Sequence, residues 1–156
     1  MLVSITGCDN HLFTQFFRNP YIIEVANVEV MAPNKWYEFK KQIKALNRSQ
    51  NILIEFQGSE PENMNMSVRP PNDIFKYGES VFTSVLFPGK EIFFDVLIVD
   101  IDNIEYELEA SGSSNGIIFH PKTETSLIGK TFNKVKVQSN LKHKNIKITW
   151  ISSTGK

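Results

Sequence analysis

The residues of this 156-residue chain with the reactivity for nucleophilic or metal chemistry are few: Cys8, His11, His120 and His143, with 17 acids spread along the sequence. Cys8, Asp9 and His11 bring a thiol, an acid and a base close together. A working nucleophile also needs a strand–turn–helix elbow to present it, and none surrounds Cys8, which reads as a small buried residue. The three histidines stand singly, without the i,i+4 or C-x-x-C-like spacing that gathers ligands around a transition metal. Asp100-Ile101-Asp102-Asn103 with Glu105 offers hard oxygens to a calcium ion, but it lacks the EF-hand spacing and its glycine, so solvated turn acids are expected. Glu105, Glu107 and Glu109 supply carboxylates for glycoside hydrolysis only if they converge. Strict alternation with Tyr106 and Leu108 already explains them as the wet face of a strand. No glycine run cradles phosphate. The expectation is therefore a non-enzyme with no catalytic residue, no metal and no cofactor.

Stepping from single residues to patterns, the C-terminal stretch from Lys130 to Ser152 carries the clearest signal. Val135 and Val137 alternate with Lys134, Lys136 and Gln138, and Ile146, Ile148 and Trp150 alternate with Lys147 and Thr149. Period two of this kind predicts two antiparallel strands, apolar on one face and basic on the other, joined as a hairpin through Ser139–Asn145. Net charge is zero, yet residues 89–110 hold seven acids and one base while residues 111–156 hold eight lysines and one acid. Opposite local signs favour protein–protein contact over nucleic acid, which requires a net positive field. The Lys134/Lys136/Lys147 face is expected either to guard an exposed strand edge or to meet the Glu105/Glu107/Glu109 face of a neighbouring copy.

The rest of the chain reads mostly as strands: Leu2–Thr6, Tyr21–Met31, Asn51–Gln57, Ser80–Phe87, Glu91–Ile101, Ile104–Ala110 and Gly116–His120. Cys8–Asn19 suits a helical turn or packed loop, and Gly58–Asp73, with Pro61, Pro70 and Pro71, a long loop. Over 34–47, Trp36, Phe39, Ile43 and Leu46 fall on one arc at 3.6 residues per turn and predict an amphipathic helix, although Tyr37, Phe39, Ile43 and Ala45 also fit a strand. The fold class expected is a mainly β, antiparallel β-sandwich, jelly-roll-like, with one short amphipathic helix and a single domain over 1–156.

A lone cysteine, no leader-like start and no apolar run long enough to span a bilayer point to a cytoplasmic or virion protein without a membrane partner. In general character, cysteine-poor with lysine-bearing alternating strands in its C-terminal third, the chain resembles small β-sandwich accessory proteins of virions, such as phage capsid decoration or tail components. That resemblance implies a structural protein acting as a homo-oligomer or docked on a larger assembly. The alternative is a carbohydrate-binding module, with Trp36, Tyr37 and Tyr77 stacking on sugar and Asn63 and Asn65 hydrogen-bonding to it.

Overall fold

Alternation is realised as strands along almost the whole described chain. The computed structural model describes residues 21–56, 65–68, 80–83, 89–113, 116–123 and 125–153. They form β1 (Tyr21–Met31), β2 (Tyr37–Lys44), β3 (Ser49–Phe56), β4 (Asn65–Val68), β5 (Ser80–Thr83), β6 (Phe94–Asp100), β7 (Glu105–Ser113), β8 (Gly116–Pro121), β9 (Thr131–Ser139) and β10 (His143–Ser153). Eight of these, all antiparallel, make one sheet in the order β1-β10-β3-β8-β7-β6-β9-β2, which curls into a nearly closed barrel. The strands β4 and β5 pair separately. Leu2–Thr6 and Cys8–Asn19 lie outside the described residues. The expected loop over 58–73 contains the strand β4, and the strand expected over 80–87 is described only as far as Thr83.

The sheet is symmetric in sequence order. In the half β1-β10-β3-β8 each strand has a counterpart at the matching place in the half β2-β9-β6-β7, and the β7–β8 pairing joins the two halves. Inward side chains of both halves fill one core, including Ile52, Ile54, Ile117, Phe119, Ile146, Ile148 and Trp150 from one and Ile43, Val96, Ile98, Phe132, Val135 and Val137 from the other. The sheet passes from β7 to β8 at a tight spot. A Cβ on Gly116 would lie 2.3 Å from the Ile54 carbonyl oxygen, so only glycine fits there.

Two expectations are corrected here. Residues 34–47 hold a strand, β2, and no helix occurs among the described residues. The cause is a bulge: Lys40 pairs with Lys134 and Ile43 with Phe132, so three residues of β2 span what two of β9 span. That puts the inward Phe39 and Ile43 four apart, the spacing of one helical face. Secondly, β9 and β10 follow one another but do not pair. Strand β9 lies between β6 and β2, while β10 lies between β1 and β3. Their apolar faces meet across the core instead, with the Phe132 and Trp150 rings 5.2 Å apart. The sheet edges are β1 and β2, so the lysines of β9 and β10 do not guard an edge.

Candidate functional site

On the outer surface, the acids and lysines singled out by sequence find each other within one chain. Leu97 of β6 is flanked by Glu107 of β7 on one side and Lys136 of β9 on the other, which interleaves the acidic and basic strands. Lys136 Nζ donates to Glu105 Oε1 at 2.8 Å and lies 3.9 Å from Glu38 Oε1, while Lys134 Nζ is 3.5 Å from Glu38 Oε2. The hydrogen bond from Lys136 to Glu105, strengthened by both carboxylates, raises the ammonium's pKa. Glu107 pairs with Lys122, and Glu109 with His120 at 3.1 Å. Lys147 stands on the other half of the sheet, 3.9 Å from Glu24. The six expected assembly residues are thus brought together only in part; five of them have an ion partner in their own chain, and Glu109 has His120 beside it.

Of the possible sugar-binding residues, Trp36 is 39% exposed, with Lys136 Nζ 5.4 Å from its ring centre. Tyr37 lies next to it under Lys35, and its hydroxyl accepts from Ala32 N at 2.8 Å. Asn63 and Tyr77 lie outside the described residues, and Asn65 begins β4.

Asp100 is a buried residue where a solvated turn acid was expected. Alternation along β6 puts it on the inward face with Val96 and Ile98, where Oδ1 accepts from Asp102 N and Ile104 N, each at 2.9 Å, and Oδ2 from the Tyr106 hydroxyl at 3.0 Å. Burial alone pushes its carboxyl pKa up, but these three donors and Lys130 outweigh burial and hold it below the ordinary value. Its oxygens organise a turn, and no group of three His, Cys, Asp or Glu able to hold a metal occurs among the described residues.

Sequence reasoning passed over two further features. Gly112-Ser113-Ser114-Asn115-Gly116 matches the letters G-x-S-x-G. It joins β7 to β8, strand to strand, and so lacks the helix that a nucleophile elbow requires. More telling is one end of the barrel. There the loops after β2, β6 and β8 are tied by main-chain bonds: Ala45 N to Lys130 O at 2.9 Å, Gly129 N to Ala45 O at 2.8 Å and Ile101 N to Thr131 O at 3.0 Å. These loops present Leu46, Ile101, Ile104 and Ile128 to solvent at 57, 58, 49 and 52% exposure. No alternation marks them, because they sit in turns, where sequence gives no rule for facing.

The opposite end is closed. His143 is buried, its Nε2 2.7 Å from Ser139 Oγ, with its ring stacked 4.9 Å from Phe94 and tilted against Phe56 at 5.4 Å. Desolvation lowers its pKa to about 4, so the imidazole is neutral. No helix of the described residues is long and apolar enough to cross a membrane. No protein family matches this chain, and neither a curated protein nor a solved structure does.

Proposed function

We propose that the chain is a non-enzymatic structural protein that assembles with further copies of itself through the apolar end of a jelly roll. The strand order supports the finer fold reading. Each of the four pairs β1/β2, β10/β9, β3/β6 and β8/β7 crosses from one half of the sheet to the other, as two interlocked Greek keys require. Jelly rolls serve as capsid and lectin domains, so a virion accessory component, made in the cytoplasm, is consistent by analogy of fold alone.

The observation that carries the assembly reading is the exposure of Leu46, Ile101, Ile104 and Ile128 at one end. Grouped exposed aliphatics mark contact surfaces, whereas a surface ion pair contributes only about 0–1 kcal/mol and is screened by salt. Burying the exposed half of a large aliphatic side chain is worth about 1 kcal/mol, so the four together outweigh any one ion pair. With Lys134, Lys136 and Lys147 each paired with a carboxylate of the same chain, neither nucleic acid nor a membrane surface is the partner proposed. Light scattering on the Leu46→Asp, Ile128→Asp double variant tests the reading. A fall to monomer mass with unchanged circular dichroism supports it, and an unchanged mass refutes it.

The exposed Trp36 favours a second reading, carbohydrate binding on the same fold. A glycan screen followed by Trp36→Ala tests it, with sugar-dependent fluorescence lost in the variant as the supporting result.

A further inference from the structure

Strand order leaves two edges, β1 and β2, and they flank one seam of the nearly closed barrel. Residues 32–36 join them at the closed end, so β1 starts and β2 finishes at the apolar end. No ladder pairs the two strands along their length. The outer row of main-chain N–H and C=O groups on each edge therefore has no ladder partner among the described residues, which makes each edge a template for another strand.

The two edges carry opposite charge. Exposed on β1 are Glu24 and Glu29, with no base in the strand, whereas β2 exposes Lys40, Lys41 and Lys44. The one acid of β2, Glu38, is already held by Lys134 and Lys136. Glu24 lies 3.9 Å from Lys147, but Glu29 and the three β2 lysines have no ion partner among the described residues. Lysines on an edge ordinarily keep foreign strands away, and a bulge works in the same sense. One bulge interrupts each strand. No lysine guards β1, however, and this strand of 11 residues exposes Tyr21, Ile22 and Val30.

Two twofold arrangements join such edges between copies. An axis perpendicular to the strands sets β1 against β1 and β2 against β2, acid facing acid and lysine facing lysine, which is unfavourable. An axis parallel to the strands, along the seam, sets β1 of each copy against β2 of the other. Successive antiparallel pairings around the sheet leave β1 and β2 running in opposite directions, so both new pairings are antiparallel and each half of the sheet continues into the partner. Acid then faces lysine along both. We propose that a second copy docks in this way, as a closed isologous pair; the proposal rests on the self-assembly reading and specifies how the copies are arranged. The start of β1 comes beside the end of the partner's β2, which brings Tyr21 and Ile22 to the partner's Leu46 and both apolar ends to one end of the pair. Main-chain hydrogen bonds and these apolar contacts hold the pair, and charge selects which strand meets which.

Light scattering on charge-reversed full chains at low salt is the test. In Glu24→Lys, Glu29→Lys both edges are basic, and in Lys40→Glu, Lys41→Glu, Lys44→Glu both are acidic. Each variant alone is expected at half the wild-type mass. An equimolar mixture of the two is expected at the wild-type mass, since every edge pairing in the mixed pair is again acid with lysine. The arrangement is overturned by an unchanged mass in either variant, which is the outcome if another segment of the same chain covers β1, or by a mixture that stays at the lower mass. Circular dichroism checks the glutamate variant, because Glu24 is close to Lys147. Should that variant fold poorly, the lysine variant decides by its mass alone, since it relieves the like-charge neighbours Lys40 and Lys134. A mass lowered by Leu46→Asp, Ile128→Asp but unchanged in both charge variants leaves the assembly reading standing and removes this arrangement, whereas a monomeric wild-type chain removes both.

Discussion

At the end of the barrel where β1 meets β2 and β9 meets β10, polar groups are inside. His143 and Ser139 hydrogen-bond to each other beneath Phe56 and Phe94, and the Asn140 side chain ties the turn to Phe93 N and the Glu91 carbonyl at 2.8 and 2.9 Å. At the other end the arrangement is inverted: the acid Asp100 is buried, while the neighbouring Ile101 and Ile104 are exposed. Buried polar groups with partners rigidify a structure, and exposed aliphatics without cover are available for contact. The closed end is the fixed one, and the open end is where a partner can be accommodated.

Acid should act first on the closed end and with the largest effect. The folded His143 has a pKa of about 4 against an ordinary 6.5. Above pH 6.5 the imidazole is neutral in both states and stability is full. Between 6.5 and 4 the unfolded chain takes up a proton that the folded one refuses, so stability falls by up to about 3 kcal/mol and then levels off. Denaturant melts from pH 7 to pH 4 check this, and His143→Gln should flatten the slope. Asp100, held below its ordinary value, adds a loss only at pH values under about 3.8. Glu55, raised by burial beyond the opposing pull of Lys147, works in the other direction.

Next in size, Gly116→Ala should cost about 2–3 kcal/mol, because its Cβ must displace the β3 backbone. A thermal melt measures it, and an unchanged midpoint would show that β3 and β8 can part without penalty. Beneath the open end, Gln50 accepts from Trp150 Nε1 and donates to Ser152 Oγ and Asn47 O at 2.7, 2.8 and 2.7 Å. Gln50→Leu strands the indole N–H and should cost about 2 kcal/mol while leaving the solution mass unaltered. Smallest of all, Lys136→Met removes the busiest lysine of the wet face. It should change stability by less than about 1 kcal/mol, since its partners Glu38 and Glu105 are exposed.

Much of this contrast was legible in the sequence and part was not. Runs of β-branched and apolar residues located β1, β3, β6 and β8, while alternation located β7 and assigned the correct faces to Val135, Val137, Ile146, Ile148 and Trp150. It failed at β2, where one extra residue between Lys40 and Ile43 made a strand imitate a helix. It could not give pairing either, because period two fixes which face of β9 and β10 is wet and leaves open which strand lies beside them. The charged residues were found, but their partners follow from strand order, and strand order put Glu105 beside Lys136 in the same chain. The apolar end consists of turn residues brought together by three loops distant in sequence, and no local pattern encodes that convergence.

Solution mass at low and at high salt tests the central claim most directly. Contact through Leu46, Ile101, Ile104 and Ile128 predicts an oligomer whose mass persists at high salt, because burial of apolar surface is not screened. An oligomer that falls apart as salt rises would transfer the interface to the lysine and glutamate faces, and a monomer at both salt concentrations would contradict self-assembly outright.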